Sequence, residues 1–116
     1  VMQITRFKDA KPYSANLHYG MVGLRLQGAE ATQTDNFWVG LSQFLPGGGA
    51  AEDSSSVEKI YTVLNGEITV VQEGHEFVLG PLDSCHIAEG ELRSIENRTN
   101  HTVSMLVMMP YPKEQK

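Results

Sequence analysis

From Pro46 to Gly66 the chain reads PGGGAAEDSSSVEKIYTVLNG, a glycine-rich turn, a polar run and a short segment closed by Asn65-Gly66. Ile60, Tyr61, Thr62, Val63 and Leu64 are branched or aromatic, and such side chains favour a pleated strand. Asn-Gly is the strongest short signal for a tight hairpin, so the segment predicts a strand that folds back onto Ile68, Val70 and Val71.

The rest of the chain repeats this grammar of short apolar segments broken by Gly, Pro and Asn. Residues 3–7 alternate weakly and predict an edge strand, followed by a polar loop through Pro12, Ser14 and Asn16. In Tyr19 to Gln27 the alternation sharpens, with Val22, Leu24 and Leu26 on one face and Gly23, Arg25 and Gln27 on the other. Phe37 to Leu45 is a second strongly β segment, ended by a turn at Pro46-Gly47. His75 to Leu79 follows a Glu73-Gly74 turn, and Ser84 to Ala88 and Leu92 to Glu96 flank Glu89-Gly90. The last segment, Thr102 to Met109, is almost continuously apolar, which predicts a strand covered on both faces or lying under a partner subunit. Trp38, Phe37 and Phe44 read as packing residues, and the tail from Tyr111 is expected to fray. No segment carries a sustained helical stripe with caps, so the pattern specifies an antiparallel sandwich or barrel.

A chain of 116 residues is long enough for one core, so residues 1–116 are read as a single domain. The formal net charge of -5, without any run of Lys or Arg, argues against a nucleic-acid partner. Cys85 is the only cysteine, which excludes an intramolecular disulfide and a cysteine-built zinc site and fits a reducing compartment. Neither an apolar run of signal-peptide length nor 18 consecutive apolar residues occurs, so the expectation is a cytoplasmic protein without a membrane partner. Val1 precedes Met2, which leaves the native start open. The tripeptides at Asn97 and Asn100 fit the glycosylation pattern but read as turns.

Gly47 to Gly66 resembles the first conserved motif of the cupins, G(x)5HxH(x)3,4E(x)6G, in its shorter spacing. The glycine frame matches, while Asp53 and Ser55 stand at the two histidine positions and Lys59 at the glutamate position. Glu58 lies one residue too early and on a regular strand faces the other way. Leu82 to Asn97 resembles the second motif, G(x)5PxG(x)2H(x)3N. There Gly90 and Asn97 match, Leu82 and Ala88 replace a glycine and the proline, and Arg93 replaces the third histidine. The resemblance spans about residues 37–108 and implies an all-β double-stranded β-helix, the cupin jelly-roll barrel, with its cavity between the sheets.

In a typical cupin the replaced residues hold a divalent transition metal. Asp is a possible ligand, Ser a poor one, and Lys and Arg have no lone pair to offer at neutral pH. The expectation is therefore no metal and no cofactor. The competing reading is a rearranged ligand set drawn from Glu52, Asp53, Glu58 or His86 after a bulge, as in a metal-dependent cupin oxygenase.

Carried over position by position, the resemblance puts Asp53, Ser55, Lys59 and Arg93 in the cavity. Tyr61 has the parity of Lys59 and is either a further cavity residue or a core tyrosine. Lys59 and Arg93 would attract a small anionic metabolite, Arg by a bidentate fork and Lys as a point charge. Alternatively, they pair with Asp53, Glu52 or Glu91 and merely fill the vacated site. His86 is expected on the outer face, because Cys85 and Ile87 have the inward parity. His18, His75 and His101 carry no recognisable spacing. Two functions stand side by side: a metal-independent, anion-binding cupin of isomerase, lyase or decarboxylase type, and a non-catalytic ligand-sensing or structural module. A homodimer, as in many single-domain cupins, is expected in either case.

Overall fold

The computed structural model describes residues 1–113 and contains nine strands. They are β1 (Pro12–Tyr13), β2 (His18–Gln27), β3 (Phe37–Asp53), β4 (Lys59–Asn65), β5 (Ile68–Gln72), β6 (His75–Leu79), β7 (Ser84–Ile87), β8 (Arg93–Glu96) and β9 (Val103–Pro110). A single 3-10 turn at Phe7–Asp9 precedes them. All pairings are antiparallel, in the order β6-β5-β8-β3-β9-β4-β7, with β2 on β3 and β1 on β2. The result is a nearly closed jelly-roll barrel. No helix among the described residues is long and apolar enough to cross a membrane.

The 17-residue strand β3 is the joint of the barrel. Residues 37–44 pair with β9, and residues 49–53 pair with β8. The turn expected at Pro46-Gly47 is not formed; the strand bends there and changes partner while β2 follows along its other side. Gly49 permits the crossing, because a methyl group at its Cβ position would run into the Ile95 carbonyl oxygen of β8.

Asn65-Gly66 also differs from expectation. β4 pairs with β7 and β9, and β5 pairs with β6 and β8, so the dipeptide is a corner between layers rather than a hairpin. Gly66 has φ 81°, and an added Cβ would lie 2.9 Å from Val103 Cγ2, so close packing on β9 explains the glycine. The hairpin at Glu73-Gly74 forms as read, with positive φ at both residues and Gln72 opposite His75.

At the N-terminus residues 3–6 form no strand, and the short β1 arises instead in the expected polar loop, where Pro12 and Tyr13 align with Leu24 and Gly23. Tyr111, expected to fray, is tied down: its hydroxyl accepts from the Ala29 amide at 2.8 Å and bonds Thr34 Oγ1 at 2.7 Å. The remainder of that tail, residues 114–116, lies outside the described residues.

The interior is apolar where strand alternation sends branched side chains inward. Phe44, Val63, Ile68, Ile95, Val103 and Met105 are essentially inaccessible, and each such burial contributes about 1.5 to 3 kcal/mol relative to exposure. β9 alternates after all, with Val103, Met105 and Val107 buried and Met108 exposed. Asn97 is also fully buried. Its amide donates to the carbonyls of Phe44 and His101, and its Oδ1 accepts from the Thr99 amide and hydroxyl. The glycosylation-like tripeptide at Asn97 is thus a structural turn.

Candidate functional site

The apolar packing stops short of one part of the barrel and leaves a cup of about 270 Å³. Asp53, Ser55, Lys59, Tyr61 and Arg93 all line it, together with Tyr13, His18, Arg25, Trp38 and Ser42. Phe44, Ile95, Met105 and Val107 supply its apolar lining.

Two features of strand geometry aim the polar residues inward. Lys59 and Tyr61 share parity on β4, opposite Ile87 and Cys85 of β7. On β3 the register with β8 slips between Ala50 and Asp53. A regular strand with Ala50 facing in would point Glu52 into the barrel. The irregularity adds one residue and reverses this, so Glu52 is exposed and Asp53 faces the cup, aligned with Arg93.

Arg93 is 4% exposed. Its Nε donates to the Tyr61 hydroxyl at 2.9 Å and its Nη1 to the Ala51 carbonyl at 3.3 Å. Burial pushes the Tyr61 phenol above its ordinary range despite the neighbouring guanidinium, so this hydroxyl stays protonated. Lys59 is 8% exposed, and its pKa is lowered to about 8, first by desolvation and then by Arg93, with Asp53 working in the opposite direction. Among the described residues no carboxylate lies within 4 Å of either cation. Glu91 is engaged elsewhere, accepting from the Ala88 amide and from Gln72, and Glu52 lies outside. The expected pairing of Lys59 and Arg93 with Asp53, Glu52 or Glu91 is therefore not made as direct ion pairs.

Four cup residues carry little site signal in the sequence. His18 opens β2, and its Nδ1 lies 2.7 Å from the Asn16 carbonyl. A carbonyl only accepts, so Nδ1 carries the hydrogen and Nε2 of the neutral ring keeps a lone pair. Burial lowers the pKa of this ring, which favours the neutral form. Arg25 sits on the face of β2 opposite Val22, and Val22 is the exposed one. The Arg25 guanidinium lies 3.8 Å from the Tyr13 ring centre and 4.4 Å from that of Trp38, while Nε donates to Glu30 at 2.7 Å. Tyr13 and Trp38 meet edge to face at 5.8 Å and form an aromatic wall.

The residues that the motif resemblance sets at metal positions do not suit a metal. Of those four residues only Asp53 is a good donor, and no three His, Cys, Asp or Glu side chains among the described residues converge. Of the rearranged set, Glu58 and His86 bond each other at 2.7 Å on the outside of the barrel.

The fold defines a small jelly-roll protein with an inward-facing polar cup. The chain belongs to the cupin superfamily: the family described as "Cupin domain" matches residues 40–109. The protein named Beta-D-galactosidase Rv1717, from Mycobacterium tuberculosis, is 48% identical over 111 residues, covering 96% of each chain. Two solved structures are similar in fold. The polyketide cyclase RemF from Streptomyces resistomycificus has a TM-score of 0.84 at 20% identity, covering 95% of this chain and 80% of that one. A predicted oxalate decarboxylase from Thermotoga maritima has a TM-score of 0.78 at 24% identity, covering 94% of this chain and 98% of that one.

Proposed function

We propose that the chain is a cupin enzyme that hydrolyses a β-galactoside in the cup, with Asp53 and Lys59 as its acid-base pair. One observation carries the reading. In a chain similar along its length to a protein named as a β-D-galactosidase, Asp53 is the one carboxylate among the described cup residues, and it shares the cup with a desolvated lysine.

Glycoside hydrolysis needs a proton for the departing oxygen and a base or negative charge beside the anomeric carbon, where an oxocarbenium-like charge develops. Two carboxylates ordinarily divide these tasks. Here the Lys59 ammonium takes the place of the acid, giving its proton to the glycosidic oxygen as the bond to the anomeric carbon breaks. Water adds to that carbon and its proton passes to Asp53, after which solvent restores both groups. Tyr61 is a poor nucleophile, because its hydroxyl is held protonated and accepts from Arg93. The aromatic wall of Tyr13 and Trp38 offers the apolar surface that sugar-binding pockets use.

Turnover of nitrophenyl β-galactoside, compared with the α-galactoside and β-glucoside, tests the proposal. The expected result is release from the β-galactoside alone, falling as pH rises through about 8, where Lys59 loses its proton. Absence of turnover on every glycoside would leave the second reading, a non-catalytic ligand-sensing module. The internal hydrogen bonds of Arg93 favour that alternative, because they hold the wall without a ligand.

A further inference from the structure

We infer that the sugar taken by the cup carries an anionic group, a carboxylate or a phosphate, held by Lys59 and Arg93. The identity of the sugar rests on the galactoside reading above; the need for an anion rests on the charges alone.

The cup holds two cations that are nearly inaccessible and one carboxylate. Neither cation has a carboxylate within 4 Å among the described residues. Buried charge is costly unless it is matched, and Asp53 can match only one of the two. Arg25 does not alter the balance, since Glu30 pairs with it at 2.7 Å. His18 does not alter it either, since its lowered pKa favours the neutral ring. One positive charge is left over in a half-enclosed space, where attraction to an anion is stronger than at an open surface.

Arg93 also has the means to bind. Nε and Nη1 are engaged with Tyr61 and Ala51, whereas no hydrogen bond occupies Nη2 among the described residues, and the side chain lines the cup. Its donors and the Lys59 ammonium give a planar donor beside a point charge, which suits either anion. The charged groups that act on Lys59 are Arg93 on β8 and Asp53 on β3, and Lys59 in turn acts on His18 of β2. An anion placed among them would strengthen the hold of Lys59 on its proton.

Calorimetric titration at pH 8 and low salt with D-galactose, D-galacturonate and D-galactose 6-phosphate reads the inference directly. At least one acidic sugar should bind about tenfold or more tightly than galactose, with proton uptake. Lys59→Met keeps the buried packing and should bring that ratio close to one. Ser55→Asp adds a carboxylate at a partly exposed cup position, keeps both cations and should likewise bring that ratio close to one. Galactose binding as tightly as both acids, or a preference that survives both variants, would overturn the inference. An anion preference without hydrolysis of any galactoside removes only the hydrolase reading. Hydrolysis of the neutral galactoside without an anion preference removes only this one.

Discussion

Arg93 and Tyr61 join two strands that are not neighbours in the sheet. The 2.9 Å bond from Arg93 Nε to the Tyr61 hydroxyl runs from β8 to β4 across the interior. It fixes the guanidinium in one orientation and ties a wall of the cup to both layers. Tyr61→Phe leaves Nε buried without its acceptor and should cost about 1 to 3 kcal/mol. In a domain of this size each kcal/mol lowers the melting temperature by roughly 4 °C. Chemical denaturation of the wild type and Tyr61→Phe gives the comparison, and equal midpoints would show the bond to be incidental.

Lys59 ties stability to pH with a definite sign. Its folded pKa of about 8 lies below the ordinary 10.5, so between these values the unfolded chain binds more protons than the folded one. Its contribution to stability therefore rises as pH climbs from about 8 to 10.5. Lys59→Met should remove that rise, as read from urea midpoints at several pH values. A pH dependence identical to wild type would place Lys59 in water.

Chelation should leave the melting temperature and the galactoside rate unchanged, because Ser55, Lys59 and Arg93 are poor metal donors. Elemental analysis should find no stoichiometric transition metal. About one iron, manganese, nickel or zinc per chain, lost together with activity on chelation, would contradict the reading of the donor set.

We propose that a homodimer covers the outer face of β3, β9 and β4. Phe37, Ile60, Met108 and Met109 line an apolar groove there, with Phe37 49% and Ile60 40% exposed. Sedimentation at micromolar concentration should give a dimer, and Ile60→Glu should convert it to a monomer. A wild-type monomer would mean that the groove stays open to solvent.

Strand content and fold family were legible in the sequence because alternation and the glycine frame are local signals. Partner choice was not. Asn65-Gly66 has hairpin chemistry, yet β4 finds β7 and β9 because Gly66 packs on Val103, a contact distant in sequence. Asp53, Ser55, Lys59, Tyr61 and Arg93 were found through motif position and strand parity. Arg25 was not, because its strand alternates with Val22 and Leu24, and parity alone does not say which face turns inward. The only local sign was Gly23, whose added Cβ would sit 2.9 Å from the Tyr13 ring and which therefore belongs to the crowded face. His18 was missed for another reason: its role depends on the bond to the Asn16 carbonyl, which no spacing announces.

The central claim is that Asp53 and Lys59 do chemistry in the cup, and the rate of Asp53→Asn on nitrophenyl β-galactoside tests it most directly. Asp53 makes no direct ion pair among the described residues, so the variant should fold with an unchanged circular dichroism spectrum. Loss of the base should lower kcat/KM by about a hundredfold or more. A folded Asp53→Asn protein with the wild-type kcat/KM would contradict the account.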